Sequence, residues 1–306
     1  MPKMFVEATK MKLIRFKVDK KECYGVLTDN QILSLTTLSS FRKSAIPKTI
    51  DDLVTLGTKI LGTIEDYLKD LNEDYQKTAT IRVEKVEVLA PLVNPPKLIC
   101  LGLNYYDHAD EADARIPDEP IIFMKPRTTI IGPNKPIVKP DLVNKLDYEV
   151  ELAIVIGKRG KNIPVKEARQ YIFGYSILND VSARDIQFKD SQWTRGKSFD
   201  TFAPMGPNIT TANQIGDPNN LKIRTWVNGE LRQDSCTRNM VFNVYEIVHH
   251  LSKVMTLEPG DIIATGTPAG VGFFMKPEPK FLRPNDTITM EIERIGKLEN
   301  SVAEGS

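Results

Sequence analysis

The sequence predicts a β-rich α+β fold, with a small N-terminal α+β domain over residues 1–94 and a larger sheet-dominated domain over residues 95–306. Three observations carry this expectation. Short apolar runs bounded by Gly, Pro, Asn and Asp recur along the chain, as strands do. Helical patterns are few and do not alternate with those runs, which favours mostly antiparallel pairing over a doubly wound sheet. Asn94-Pro95-Pro96 interrupts the chain where its character changes, because two prolines continue neither a ladder nor a helix.

Strands are expected first at Met11–Phe16, Cys23–Leu27 and Gln31–Leu35, with Asp29-Asn30 supplying a turn. Helices follow at Thr49–Leu56 and Ile60–Leu71. The second places Ile60, Leu61, Ile64, Leu68 and Leu71 on one stripe. Val86–Leu92 closes this half as a strand. Beyond Lys97, strands are expected at Leu98–Leu101, Ile121–Met124, Val150–Ile156, Gly174–Leu178, Lys222–Val227, Asp261–Thr265 and Thr287–Ile292. Helices are expected only at Val165–Gln170 and Val244–Val254, with a short turn after Asn104.

Composition narrows the function classes. Apolar residues make up 41% and charged residues 26%, an ordinary globular mix. The formal charge of +1 offers no basic excess for a nucleic-acid backbone. No run reaches the ~18–20 apolar residues of a membrane span, and the first residues lack the apolar core of a signal peptide, so a cytoplasmic protein is expected. Three scattered cysteines (Cys23, Cys100, Cys236) suggest neither a disulfide framework nor a zinc site.

Asp147-Tyr148-Glu149-Val150-Glu151-Leu152 is the most informative stretch. In a strand, side chains two apart share a face, so Glu149 and Glu151 point one way while Val150, Leu152, Ile154 and Ile156 point the other. Adjacent carboxylates repel, so a buried pair needs a cation or a proton. A wet edge strand is the ordinary alternative. Asp180 ends another strand-like run and could bring a third carboxylate to the pair. Such an oxygen-only trio suits a hard ion, Mg²⁺, Mn²⁺ or Ca²⁺, better than zinc.

His108 and Glu111 are spaced i, i+3, which sets them side by side on one helical turn. A carboxylate beside an imidazole fixes its tautomer and raises its basicity, as a general base requires. A surface histidine on an acidic turn would show the same spacing. His249 and His250 fall within the expected Val244–Val254 helix and read as structural. Lys197 and Arg184 are candidate anion contacts. The Thr265-Gly266-Thr267-Pro268-Ala269-Gly270 loop follows a strand and could offer backbone amides to a carboxylate, although it lacks a P-loop ending.

In order, several segments resemble the fumarylacetoacetate hydrolase family, in particular its bacterial and archaeal members related to acylpyruvate hydrolases and 2-hydroxyhepta-2,4-diene-1,7-dioate isomerases. They are Gly102-Leu103-Asn104-Tyr105 with Asp107-His108 and Glu111; Phe123-Met124-Lys125-Pro126; Asp147 to Leu152; Asn179-Asp180-Val181-Ser182-Ala183-Arg184-Asp185-Ile186-Gln187; Lys197-Ser198-Phe199; Val227-Asn228-Gly229; and Thr265 to Gly272. The resemblance implies a rolled mixed β-sheet, a homodimer, and Mg²⁺ or Mn²⁺ held by Glu149, Glu151 and Asp180, with Ca²⁺ able to substitute. It also implies a catalytic His108/Glu111 dyad on a segment that can close over the site, with Lys197 as a further catalytic group. Arg184, Gln187, Gly266 and Thr267 would be substrate contacts. Where some members carry Arg after the first glycine, this chain has Leu103.

The implied activity is enolate chemistry on a 2-oxo acid, first C–C hydrolysis of an acylpyruvate-like acid. The same apparatus suits isomerisation or decarboxylation of 2-hydroxy-dienoate or oxaloacetate-like acids, and dehydration or hydration of 2-keto-3-deoxy sugar acids. A non-catalytic metal or small-acid binding protein is the alternative outside enzymes.

Overall fold

A computed structural model describes residues 11–41, 46–69, 71–189 and 191–305. Its principal sheet has twelve strands. Along the main path they run Thr80–Arg82, Gln31–Ser34, Lys21–Thr28, Lys12–Val18, Ala203–Thr211, Ile172–Asn179, Val150–Ile156, Ile262–Ala264, Leu98–Gly102 and Ile121–Met124. A second sheet of five strands runs Glu230–Cys236, Lys222–Val227, Thr287–Ile292, Gly296–Glu304 and Ile137–Lys139. Pairing is mostly antiparallel, with parallel exceptions such as Ile262–Ala264 beside Leu98–Gly102. The architecture is the expected β-rich α+β fold.

Val150–Ile156 is central to the principal sheet. It is bonded to Ile172–Asn179 on one side and Ile262–Ala264 on the other, and all seven residues are buried. Its pleat divides two cores. Val150, Leu152, Ile154 and Ile156 join the core shared with the five-stranded sheet and the Val244–Val254 helix. Ala153 and Val155 join the core capped by Leu53 and Val54 of the Ile50–Leu56 helix and by Leu61 and Ile64 of the Lys59–Lys69 helix. A wet edge strand is therefore ruled out for the Glu149–Glu151 stretch.

Local departures from the expected elements have local causes. Gln31–Leu35 stops as a strand at Ser34, whose Oγ accepts the Thr37 amide at 3.1 Å and opens the Leu35–Phe41 helix. Val165–Tyr171 is a 3₁₀ segment rather than an α-helix, and Val86–Leu92 contributes only Glu87–Leu89 as a strand. The Ala203–Thr211 strand escaped detection because Pro204, Gly206 and Pro207 read as breakers; a register irregularity between Tyr175 and Ile177 accommodates them. Glu230–Cys236 and Gly296–Glu304 are too polar to show an apolar run, yet the latter alternates cleanly, with Leu298, Asn300 and Val302 inward. Among the described residues, no helix is long and apolar enough to cross a membrane.

Candidate active site

Glu149, Glu151 and Asp180 converge. Each offers a carboxylate oxygen, and these oxygens lie within 4.8 Å of one another, all on buried residues. Glu151 lies in the Val150–Ile156 strand and Glu149 immediately precedes it, with their carboxylates brought to one place as their spacing leads one to expect. Asp180 follows Asn179 at the end of the neighbouring strand, and its amide bonds to the Glu149 carbonyl at 2.9 Å. The Asn179 side chain accepts the Glu149 amide at 3.1 Å, which stitches the two strand ends together.

Three cations face this cluster. Lys197 Nζ donates to Glu149 Oε2 at 2.9 Å and to Asp180 Oδ2 at 2.8 Å. Arg184 bridges Asp147, with Nε to Oδ2 at 2.9 Å, and Glu149, with Nη2 to Oε1 at 2.6 Å. Lys125 Nζ donates to Asp180 Oδ1 and to the Val181 carbonyl. Of the three carboxylates, Glu151 is the one left without a cation among the described residues: its Oε2 accepts the Gly266 amide at 2.8 Å, while its buried Oε1 has no partner among them. An orphaned buried carboxylate oxygen is costly unless an ion or a proton meets it. The oxygen-only donor set fits a hard divalent cation.

The charge balance shows in the acidities. Burial pushes the Glu149 carboxyl up, but the Lys197 ammonium and Arg184 guanidinium outweigh it and hold it at about 2. Burial, then the charges of Asp180 and Glu149, raise Glu151 well above the usual carboxylate range. For Lys197, burial acts downward, yet Asp180 and Glu149 keep the ammonium above its ordinary value.

The Tyr106–Glu111 helix carries the dyad. His108 Nδ1 lies 2.7 Å from Glu111 Oε1, and Glu111 Oε2 accepts the Gly270 amide at 2.9 Å. A carboxylate on Nδ1 sets the tautomer that leaves Nε2 to exchange protons. One cavity of about 220 Å³ is reached by His108 of the dyad and Glu149 of the triad, while Glu111, Glu151, Asp180 and Gly266 lie behind its lining. His108, Glu149, Arg184, Gln187, Lys197 and Thr267 line it together with apolar walls that include Leu103, Phe123, Trp193 and Phe274.

The 265–270 loop ties both halves of the site. Gly266 sits at φ +90° and Gly270 at φ +100°, where a side chain would also run into Asn104 or the Arg232 carbonyl. The loop amides of Gly266 and Gly270 are taken up by protein carboxylates, Glu151 and Glu111. Thr267 Oγ1 donates to the Val150 carbonyl at 3.0 Å and accepts from Gln233 Nε2 at 2.8 Å.

Sequence reasoning assigned no role to Lys125, Asp147 or Gln233. Asp147 continues the period-two row of Glu149 and Glu151, a signal that could have found it. It anchors Arg184 and accepts the Gly272 and Phe273 amides at 2.7 and 3.0 Å. Gln233 carried no signal, because its partners Val150 and Thr267 are distant in sequence.

Fold and site together define a class: a sheet-based enzyme with a buried acid cluster suited to a divalent cation beside a histidine bonded to a carboxylate. Residues 97–303 match the model of the fumarylacetoacetate (FAA) hydrolase C-terminal family. The chain belongs to the fumarylacetoacetate hydrolase family. It is 44% identical over 260 residues to the mitochondrial oxaloacetate tautomerase fahd2 of Xenopus laevis, covering 84% of this chain and 79% of that protein. A solved fumarylacetoacetate hydrolase from Exiguobacterium antarcticum superposes with a TM-score of 0.81 at 38% identity, over 96% of this chain and 100% of that one. A maleylpyruvate hydrolase from Sphingobium sp. SYK-6, solved with manganese(II) and pyruvate, gives 0.78 at 31% identity, over 97% and 100%.

Proposed function

We propose that this enzyme is divalent-metal dependent and moves a proton between C3 and the C2 oxygen of a short 2-oxo acid, interconverting the keto and enol forms of an oxaloacetate-like substrate. The observation that carries this reading is that one cavity of about 220 Å³ is lined both by Glu149, whose carboxylate clusters with those of Glu151 and Asp180, and by His108, whose ring is bonded to Glu111. That volume is below the ~300–1,000 Å³ of pockets for drug-sized ligands, which favours a small acid. The likeness to the oxaloacetate tautomerase of Xenopus laevis and to a maleylpyruvate hydrolase holding manganese and pyruvate supports the substrate class and the cation.

Glu149, Glu151 and Asp180 would hold Mg²⁺ or Mn²⁺, which when bound supplies Lewis acidity that makes the protons beside a 2-oxo group easier to remove. His108 Nε2 takes the C3 proton and returns it to the C2 oxygen. Glu111 steadies the imidazolium between those events, and the Gly270 amide steadies Glu111. Lys197 and Arg184 hold Glu149 ionised. Apolar walls at Phe123, Trp193 and Phe274 keep bulk water from the exchanged proton.

Hydrolysis of a short acylpyruvate is the second reading, favoured by the apolar lining at Leu103, Ala112 and Ala114, which suits an acyl tail. There His108 deprotonates a water that attacks the acyl carbonyl, the bond from that carbon to C3 breaks, and the pyruvate enolate leaves and takes up a proton at C3. Decay of the enol absorbance of oxaloacetate, measured against an enzyme-free metal control, tests the first reading; acylpyruvate cleavage tests the second. Metal-dependent acceleration of the tautomerisation is expected. A protein loaded with Mg²⁺ or Mn²⁺ that accelerates neither reaction would refute both. This reading includes a cytoplasmic homodimer, which light scattering checks as twice the chain mass.

A further inference from the structure

The helix that carries the dyad has six residues, too few to hold its place by its own hydrogen bonds. The chain enters it through Leu103 at φ 52° and leaves through Asp113 at φ 49°, two side-chain-bearing residues in the left-handed region. Asn104 roots the near end. Its amide donates to the Phe242 and Thr265 carbonyls, and its Oδ1 accepts the Phe242 amide.

Beyond that root, two carboxylates four residues apart, and so on one face of the helix, fasten it. Glu111 Oε2 accepts the Gly270 amide at 2.9 Å. Asp107 Oδ1 accepts the preceding amide, Ala269, at 3.4 Å, while its Oδ2 accepts Ser235 Oγ at 2.5 Å and Asn239 Nδ2 at 3.5 Å. Asn239 Nδ2 also donates to Ser235 Oγ at 3.1 Å, which braces the pair. Consecutive loop amides thus meet different carboxylates of one short helix. Neither Asp107, Ser235 nor Asn239 lines the cavity.

We propose that Asp107, held by Ser235 and Asn239, is the latch that keeps the dyad helix seated on the 265–270 loop. It is a positioning residue that acts through His108 and Glu111; its effect on turnover rests on the function proposed above. The physical reason is that Glu111 serves two donors with one carboxylate, so a small lift of the helix would part it from the Gly270 amide and turn the imidazole away from the cavity. Asp107 supplies the second point of attachment that opposes such a lift.

The test uses the full chain loaded with Mg²⁺, with and without oxalate as probe. Hydrogen exchange of the 105–113 amides should quicken about ten-fold in Ser235→Ala and in Asp107→Asn, the worth of one hydrogen bond to a charged group. Ser235→Thr, which keeps the hydroxyl, should restore wild-type exchange. On the substrate, Ser235→Ala should lower kcat by a similar factor with Mn²⁺ affinity unchanged, and should cost nothing further in a His108→Ala background. Unaltered exchange in the helix, or quickened exchange spread through the core, overturns the latch. A kcat loss that persists without His108 overturns the positioning role. A wild-type protein with no turnover counts against the proposed reaction, while the exchange measurement still decides the latch.

Discussion

The acid triad and the dyad each send one residue, Glu149 and His108, to one cavity, but the two groups are held in opposite ways. Glu151 lies within a strand paired on both sides, and the Asp180 and Glu149 backbones are bonded to each other, so the main chain of the sheet sets the carboxylate positions. His108 and Glu111 ride a six-residue helix fastened largely through side chains. A cation needs ligand oxygens at fixed separations, which a sheet interior provides. A base must approach and leave a reacting carbon, which a tethered helix allows. Substitutions in the first region should therefore act on ion binding and stability, and those in the second on turnover.

The largest effect is expected from Glu151→Gln. It removes the carboxylate that has no cation partner, so metal-dependent activity should disappear and ion binding by calorimetry should fall with it. The metal-free protein should melt no lower, because Gln keeps the side chain's size and replaces an acid whose charged form burial and its neighbours already disfavour. A markedly less stable metal-free variant would show that Glu151 is structural.

His108→Ala should lower kcat by ~10² to 10⁴, the usual worth of a general base, with KM and metal affinity little changed. Glu111→Ala should resemble it, and the double variant should be barely worse than either single, since the pair acts as a unit. Additive losses would place the two residues in separate steps.

Arg184→Met probes the rigid side of the comparison. It strips the cation from buried Asp147 and one of two cations from Glu149, which keeps Lys197, and breaking such a buried pair costs about 3–5 kcal/mol. Chemical denaturation should show a loss of that size. A stability within about 1 kcal/mol of wild type would mean that the sheet does not depend on this bridge.

The smallest expected effect is the pH dependence of ion binding. Glu151 in the metal-free protein has its carboxyl raised above the unfolded value, so the stability it contributes is full at low pH and is lost as pH rises through the folded value. Binding should consequently tighten with pH and release up to about one proton per ion, measured by calorimetry in buffers of different ionisation heat. Glu149 runs the other way. Held at about 2, it contributes stability above the ordinary carboxylate range that is lost only as pH falls toward 2. Binding that weakens as pH rises would contradict this assignment.

What the sequence alone determined was whatever has a local period. Glu149 and Glu151 share a face because strands repeat every two residues, and His108 meets Glu111 because helices bring i and i+3 together. The mostly antiparallel, β-rich class followed from the short apolar runs, and the union of Asp180 with the acid pair was legible as the end of a second run. Tertiary structure decided the rest. The strand bearing Glu151 is interior because of neighbours drawn from elsewhere in the chain, and the Gly266 amide reaches Glu151 across 115 residues. Polar strands such as Glu230–Cys236 showed no apolar run, yet Gln233 and Ser235 on that strand support the Thr267 loop and the dyad helix. The pairing of Lys125 with Asp180, and of Arg184 with Asp147 and Glu149, leaves Glu151 as the uncompensated acid. The reason is physical: backbone periodicity acts over a few residues, whereas compensation of buried charge depends on which distant side chains the sheet order brings together.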